Sequence, residues 1–528
     1  MRQVAIEGNF VDVQGDRIFP ARVVIVNGRI SRVYRFDSAP NRYILPGLID
    51  AHIHIESSLL CPSRFAEVAV AHGTTAVVSD PHEIANVLGM EGIAYMVEEA
   101  RRVPLRIFYT APSCIPTLPS QKHGGRLGWR DVRELLRTDR FVALGEVMNY
   151  RGVLSEDPET MAKLEVTHIE GKPADGHAPG LSGRNLERYI FAGISTDHEC
   201  VTAQEASERH RMGMKVMVRE GSASKNMREL RHFAAENECF LVSDDLGVLD
   251  LMRGHVDRLL ARAVELGIDP MHAVRAVTIW PAQHYSIPSG AIREQGIADL
   301  TIVSDLKEFR VLETWIDGEL VARDGTALFS TSPGLVRQSI RQLELSPVDL
   351  EIRHRGPKAE VEYVQAVPDQ IVGGLGRIKL DVVDGVVTPD VTKDVLLLAV
   401  VNRYVPAQPV CGFIRGIGLK GGAIASSVAH DAHNIIGVGT NPRHLAHAMN
   451  SVAGQGGGYF ACDGSSHRAL PLPIAGLMSD RPGAEVARMQ SDIDAFVRGM
   501  GCGLPAPFMT LSFQDPEFRK AVMGNSEP

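Results

Sequence analysis

Short apolar runs alternate with amphipathic helical segments through the first half of the chain. The runs lie at residues 43–55, 74–80, 105–112, 141–147, 192–199, 214–220 and 239–245, and a weaker one ends at His177. Helical periodicity fills the intervals between them, as in residues 63–73 and 183–193. Strands that alternate with helices predict a parallel sheet in an α/β protein. A series of such units over roughly 240 residues predicts a (β/α)8 barrel.

Strand patterns flank this region on both sides. VVIVNGRISRVYRF shows two alternating strands around Asn27-Gly28, which predicts a type I′ hairpin. Comparable strands return at residues 296–306 and 314–325. We therefore predict a composite β-sandwich from residues 1–45 and 286–328, built around a catalytic barrel of residues 46–285. A third, α+β domain is predicted at 346–528, from β runs such as 394–401 and helical patterns such as 484–500.

Composition narrows the classes of function. The chain has 528 residues, a net charge of -9 and no basic block, which argues against a nucleic-acid partner. The chain has seven cysteines, an odd number, and they form no C-x-x-C motif. A disulfide framework is therefore not expected, which fits a reducing cytoplasm. No apolar stretch is long enough for a membrane span, and no signal peptide is expected. The chain size suggests a homo-oligomer, with a dimer as the expected state.

Polar residues with metal-ligand chemistry follow several of the apolar runs. His52 and His54 flank Ile53, so the period of a strand places both imidazoles on one face. The carboxyl ends of barrel strands meet at one mouth, where metal-dependent sites form. An isolated H-x-H is more often a pair of hydrogen-bonded histidines, but further candidates follow later runs. The full candidate ligand set is His52, His54, Glu146, His177, His198 and Asp244.

For two members of this set, the sequence offers an alternative residue. His168 could replace His177, but the turn-rich sequence Asp-Gly-His-Ala-Pro-Gly favours His177 as a ligand that faces the mouth. Asp245 could replace Asp244, and we expect Asp245 to cap the next helix instead. Glu146 ends FVALGE, where a carboxylate can bridge two cations or pair with an arginine.

Two further strand ends carry polar residues. Asp80, His82 and Glu83 in DPHE could orient the ligands, contact a substrate or begin the next helix. Arg219 and Ser222 in MVREGS are candidate substrate contacts, although a solvated loop is nearly as good an explanation.

Longer motifs connect these residues to a known family. PGLIDAHIH, the later barrel-end Glu, His, His and Asp, and GAIREQGIADLTIV resemble the amidohydrolase superfamily. HIHIESS, SDPHEIANVLG, GHAPGL, MVREGSASKN and VSDD resemble, more narrowly, the bacterial adenine deaminases. GLKGGAIASSVAHDAHNIIGVGTN and LPLPIAGLMSD in the C-terminal region are similar to the same family. The resemblance covers nearly the whole chain.

The resemblance implies an adenine aminohydrolase of purine salvage, which converts adenine to hypoxanthine and ammonia. It implies two divalent ions, Mn²⁺ or Fe²⁺ with Zn²⁺ also possible, bound by the six candidate ligands with Glu146 as the bridge. A metal-activated hydroxide would attack C6 of the purine. Asp244 would carry the proton to the departing amine, and Glu83 would protonate N1 or bind the purine. Asp80 joins them as a catalytic candidate, and His82 is a candidate substrate contact.

Two other functions remain open from the sequence. An amidohydrolase that opens a cyclic amide, or one that acts on a different 6-substituted purine, would share the barrel. Many ring-opening enzymes use a carboxylated lysine where this chain has Glu146. A barrel that binds a purine as a sensor, without catalysis, is the alternative from another class.

The segment HDAHN at 430–434 suggests a role for the C-terminal region. His430, Asp431, His433 and Asn434 could form a loop that covers the barrel mouth and helps to hold the purine. A structural turn in an α+β domain explains the same residues equally well.

Overall fold

The computed structural model describes residues 3–117, 124–222, 224–334, 336, 339–367, 374–430 and 432–514. The chain begins with the strands β1 (Gln3–Asp12), β2 (Arg17–Val26), β3 (Arg29–Arg35) and β4 (Tyr43–Pro46). The turn between β2 and β3 contains Asn27 and Gly28 with φ values of 49° and 80°. Both angles are positive, as the predicted type I′ turn requires.

Parallel strands then form a closed barrel. They are β5 (Leu48–Ile53), β6 (Thr74–Ser79), β7 (Arg106–Ala111), β8 (Phe141–Val147), β9 (Ala174–Gly176), β10 (Thr196–Asp197), β11 (Lys215–Arg219) and β12 (Cys239–Val242). A bridge from Ala174 to Ile194 joins β9 to the segment before β10, and a bridge from Ile53 to Asp244 joins the last strand to the first. The predicted α/β barrel is therefore confirmed. The strands β5, β6 and β8 are buried along their whole lengths, as strands covered on both faces must be.

Helices connect the barrel strands and follow the last of them. They are α1 (Pro62–Ala71), α2 (His82–Leu88), α3 (Met90–Ala100), α4 (Trp129–Leu136), α5 (Tyr150–Leu154), α6 (Pro158–Ile169), α7 (Gly183–Phe191), α8 (Ala203–Arg211), α9 (Met227–Glu236), α10 (Val248–Leu251), α11 (Val256–Glu265), α12 (Pro270–Ala276) and α13 (Ile279–His284). A short 3₁₀ helix, Ile55–Ser58, follows β5 directly. Gly89 separates α2 from α3 because its φ of 59° and ψ of -138° interrupt the helical backbone.

The chain returns to the N-terminal strands after the barrel. The strands β13 (Leu300–Val303), β14 (Val311–Ile316), β15 (Glu319–Arg323) and β16 (Thr326–Ala327) extend the sheet in the order β16-β15-β14-β13-β4-β1-β2-β3. Because β13 pairs with β4, the segments on either side of the barrel share one sheet. The domain boundaries that we drew from the sequence stay predictions.

The C-terminal region forms a second mixed sheet. Its strands are β17 (Lys358–Gln365), β18 (Leu375–Val383), β19 (Val386–Val387), β20 (Val395–Val401), β21 (Val410–Arg415), β22 (Ala423–Ser426), β23 (Ile435–Gly439), β24 (Gly458–Cys462) and β25 (His467–Pro471). They are ordered β19-β18-β17-β21-β20-β23-β22-β24-β25. The helices α14 (Pro442–Gly454), α15 (Gly483–Gly499) and α16 (Pro507–Ser512) accompany this sheet, and 3₁₀ turns occur at Pro347–Leu350 and Val391–Lys393.

Among the helices of the described residues, none is both long enough and apolar enough to cross a membrane.

Candidate active site at the barrel mouth

His52 and His54 lie at the end of β5 and are almost fully buried, with 1% and 4% of their surface exposed. The Nε2 atom of His54 lies 3.3 Å from Glu146 Oε1 and 3.3 Å from Asp244 Oδ1. The Nδ1 atom of His54 lies 3.1 Å from the backbone carbonyl of Asp80, to which it can donate a hydrogen bond. This bond orients the ring, so that Nε2 faces the carboxylates as a ligand nitrogen should.

Glu146, in β8, lies at the centre of the cluster. Its Oε1 atom is near His54 and His82, whereas its Oε2 atom lies 2.7 Å from His177 Nδ1 and 3.4 Å from His198 Nε2. The two oxygens thus face two different sets of imidazoles, as a carboxylate that bridges two cations would. Burial alone would raise the pKa of Glu146, but the histidines hold that pKa well below its usual range. This direction of the pKa shift favours the carboxylate form, which is the form that binds cations.

His177 and His198 follow the short strands β9 and β10. Their ring nitrogens, Nδ1 of His177 and Nε2 of His198, lie 3.3 Å apart. His198 is buried, and His177 is the more open of the two with 29% of its side chain exposed. His168, the competitor of His177, lies exposed in the last turn of α6. The structure thus places His177, and not His168, beside Glu146.

Asp244 completes the set of six after β12. Its Oδ1 atom lies 3.4 Å from His52 Nε2. The backbone N–H of Asp244 donates to the carbonyl of His52, and the N–H of His54 donates to the carbonyl of Asp244. The last barrel strand is thereby fixed against the H-x-H segment. Asp245 instead accepts a hydrogen bond from Ser57. Burial opposes ionisation, but the neighbouring imidazoles of His52 and His54 keep the pKa of Asp244 well below its usual range.

Arg219 and Glu199 form an ion pair beside this cluster. Arg219 Nη1 donates to Glu199 Oε1 at 2.7 Å and to Asp244 Oδ2 at 2.9 Å, and its Nη2 donates to Glu199 Oε2 at 3.0 Å. The sequence suggested Arg219 as a substrate contact, but in the structure its guanidinium binds two carboxylates. Glu199 itself was missed, although it directly follows His198. Strand β10 ends at Asp197, so the alternation of a strand does not extend to Glu199.

The DPHE segment lies behind the ligands. Asp80 Oδ2 accepts a hydrogen bond from the backbone N–H of Glu146, which fixes the bridging residue. His82 Nδ1 lies 3.5 Å from Glu146 Oε1, and the ring centroids of His54 and His82 are 4.6 Å apart. Glu83 Oε1 lies 3.5 Å from His82 Nε2. Of the interpretations that the sequence left open, orientation of the ligands fits Asp80 best.

Ser222 lies apart from this group. Its hydroxyl donates to Asp250 Oδ2 at 2.6 Å and accepts from the N–H of Gly247 at 2.9 Å. These bonds connect the loop after β11 to the start of α10. The hydroxyl of Ser222 is therefore bonded within the barrel loops, and this geometry does not favour a contact with a substrate.

The donor set fits divalent cations. Ligand atoms lie within 4.8 Å of one another in four groups: His52, His54 and Asp244; His52, Glu146 and His198; His54, His82 and Glu146; and His177, His198 and Glu199. In the described part of the chain, His52 Nε2 is buried without a hydrogen-bond partner. A buried polar atom of this kind is costly unless something binds it. Neutral imidazole nitrogens and carboxylate oxygens suit Mn²⁺, Fe²⁺ and Zn²⁺.

Comparison with known proteins identifies similar families. The amidohydrolase family model matches residues 43–321, and the adenine deaminase C-terminal domain model matches residues 370–516. A protein from Methanothermobacter thermautotrophicus named adenine deaminase is 45% identical over 511 residues, which cover 96% of this chain and 94% of that protein. An adenine deaminase from Salinibacter ruber is 43% identical over 514 residues with the same coverage. A solved triazine hydrolase variant is 15% identical, covers 62% of this chain and 96% of that one, and has a TM-score of 0.47.

Proposed function

The chain belongs to the adenine deaminase family of the amidohydrolases, and we propose that its barrel mouth carries out the family reaction with two divalent cations. The enzyme is a hydrolase that converts adenine to hypoxanthine and ammonia. Relatives with this activity in their names match 96% of the chain, and the matches extend through the C-terminal region.

The position of Glu146 carries the proposal of two cations. One of its oxygens faces His54, and the other faces His177 and His198. One cation would be held by His52, His54 and Asp244, and the other by His177 and His198, with Glu146 shared between them. We propose Mn²⁺ or Fe²⁺ as the metal, because a mixed nitrogen and oxygen set without thiolates suits these ions; Zn²⁺ would also fit.

The proposed reaction divides its tasks among named side chains. Divalent cations supply Lewis acidity, which lowers the pKa of a water toward neutrality. Asp244 takes a proton from the attacking water and passes it to the departing amine, because Arg219 fixes one of its oxygens while the other faces the imidazoles. Attack at C6 moves electron density onto N1 of the purine. We propose that Glu83 protonates N1 or forms a hydrogen bond with the purine. His82 lies between Glu83 and the ligands.

The ring-opening alternative receives less support from the site. Many enzymes of that kind use a carboxylated lysine to bridge their metals, whereas Glu146 occupies the corresponding central position here. A sensor without catalysis would need no proton carrier, yet Asp244 is held in place by three different side chains.

A metal analysis beside two activity assays tests this proposal. Protein prepared with Mn²⁺ or Fe²⁺ should contain two ions per chain and release ammonia from adenine. Chelator-treated protein should lose the activity and regain it when the metal is returned. Hydantoin and dihydropyrimidine ring opening, measured on the same samples, serve as the control reactions. Full adenine turnover with a single ion per chain, or turnover that survives complete chelation, would contradict the proposed centre.

We also propose a cytoplasmic enzyme that works as a homo-oligomer. All seven cysteines are free thiols, which fits a reducing compartment. Size-exclusion chromatography with light scattering tests the expected dimer.

A further inference from the structure

A loop of the C-terminal region meets the barrel at Glu83. The loop runs from β22 to β23, and we call residues 430 and 432–434 the histidine loop; Asp431 lies outside the described residues. His430 Nδ1 lies 2.8 Å from Glu83 Oε1, although 347 positions separate the two residues in the chain. His433 Nε2 closely contacts the other oxygen, Glu83 Oε2. Each carboxylate oxygen of Glu83 thus faces one imidazole of the C-terminal region.

All three side chains are shielded from solvent. Glu83 is 3% exposed, His433 is 1% exposed and His430 is 9% exposed. In such surroundings the hydrogen bond from His430 and the close contact with His433 fix the angle of the carboxyl group firmly, because water does not compete for these atoms.

The two histidines are themselves held in place. The ring of His430 stacks on Phe513 with centroids 4.2 Å apart and planes 7° apart, and its backbone N–H donates to the carbonyl of Ser512. The carbonyl of His433 accepts a hydrogen bond from the fully buried Arg403, at 3.1 Å. His433 also has a left-handed backbone with φ of 48°, a conformation that few residues other than glycine adopt. The loop therefore presents both rings in defined positions.

The C-terminal region also contacts the barrel after the H-x-H strand. The backbone N–H of Ser479 donates to the carbonyl of Leu59 at 2.7 Å, and the N–H of Cys61 donates to the carbonyl of Ser479 at 3.2 Å. Arg64 Nε donates to the carbonyl of Asp480. These bonds attach the region to the segment that directly follows His52 and His54, so the contact at Glu83 belongs to a larger interface.

We propose that the C-terminal region completes the deaminase site, with His430 and His433 as positioning residues that fix the carboxyl group of Glu83. This inference rests on the proposed function, in which Glu83 meets N1 of the purine. The two histidines do not need to touch the substrate. They act through Glu83, and this distinguishes them from a loop that simply covers the barrel mouth.

A double-mutant cycle separates this role from a purely structural one. The measurements use the metal-loaded, full-length enzyme and compare the kcat and KM for adenine. We expect His430→Leu and His433→Leu each to lower kcat about tenfold or more, with KM changed less than threefold and metal content unchanged. In a Glu83→Gln background the same two changes should lower kcat less than twofold, because the group through which they act is already altered. His354→Leu, at an exposed histidine of the same region, is the control and should leave kcat unchanged.

Conservative variants add a second line of evidence. His430→Asn and His433→Gln keep an N–H near the position of the ring nitrogen that faces Glu83, so they should recover most of the lost kcat. Phe513→Leu removes the stacking partner of His430 without touching Glu83. If the leucine variants at 430 and 433 fail to fold, Phe513→Leu still tests the proposal. Its kcat should fall about threefold in the wild-type background and stay unchanged in the Glu83→Gln background.

Several outcomes would overturn the inference. Equal losses in the two backgrounds would show that the histidines act independently of Glu83, as residues with a structural role would. Unchanged kcat in the leucine variants, or a Glu83→Gln enzyme with the wild-type kcat, would remove its basis. Failure of the proposed function looks different, because the wild-type enzyme itself would then not release ammonia from adenine.

Discussion

Replacement of Arg219 by methionine tests the most unexpected contact of the site. Methionine keeps the length of the apolar stem but removes the guanidinium that binds Glu199 and Asp244. If Arg219 contacted the substrate, as the sequence suggested, the variant should raise KM and leave stability unchanged. If Arg219 holds the two carboxylates, as the structure indicates, the variant should lower both stability and kcat.

The expected magnitude follows from burial and from the number of bonds. Arg219 is 5% exposed, and its three hydrogen bonds to carboxylates are 2.7 to 3.0 Å long. Removal of one partner from a buried ion pair costs about 3–5 kcal/mol, because the remaining charge stays buried without compensation. In a domain of barrel size this corresponds to a decrease of roughly 6–20 °C in the unfolding temperature. We expect kcat to fall at least tenfold, because Asp244 loses the bond that fixes its Oδ2 atom.

Thermal unfolding at a fixed scan rate and steady-state kinetics measure the two effects. Arg219→Lys keeps a charge but lacks the two-pronged geometry of the guanidinium, so its losses should be intermediate. Arg228→Met, at an exposed arginine of α9, is the matched control and should change neither quantity. A threefold or larger rise in KM, with unchanged kcat and unfolding temperature, would refute the structural reasoning and restore the substrate-contact hypothesis.

Three further predictions follow from the same site. Asp244→Asn should retain bound metal but lower kcat by a factor of about 10²–10⁴, which is the usual contribution of a positioned proton carrier. Metal analysis and ammonia release test this prediction. A near-normal rate would contradict the role of Asp244 in proton transfer. Removal of the metal with a chelator should lower the unfolding temperature, since ions that bind only the folded state stabilise it, and an unchanged temperature would contradict binding at this buried site. Gly145→Ala would place a methyl group 2.3 Å from Asp80 Oδ2. We therefore expect the free energy of unfolding to fall by about 1–3 kcal/mol and kcat to fall tenfold. Wild-type kinetics would instead show that Asp80 can move freely.

Most of the candidate ligands could be predicted because they follow apolar runs. His52, His54 and Glu146 come from segments whose strand character is visible in the sequence, and His177 ends a weaker run; parallel strands end at the same barrel mouth. The structure brings these residues together with His198 and Asp244. Their roles as metal ligands stay predictions until metal is measured.

Arg219 and Glu199 share one physical property, which is dependence on a partner distant in sequence. Arg219 is an arginine at a strand end, and such a residue could equally face substrate, solvent or a carboxylate. Only the approach of Glu199 and Asp244 decides its role. Glu199 ends the run at 192–199 but lies beyond β10, which ends at Asp197, so the period of a strand does not place its side chain.

The sequence by itself determined the type of fold and the chemistry of the mouth, because hydrophobic periodicity and residue type are local properties. Tertiary structure alone decided which charged groups neutralise each other, because Coulomb and hydrogen-bond energies depend on distances of a few ångströms. The pairing of Glu83 with His430 and His433 is the clearest case. The sequence suggested that both segments lie near the barrel mouth, but only the docking of the C-terminal region on the barrel pairs these three side chains.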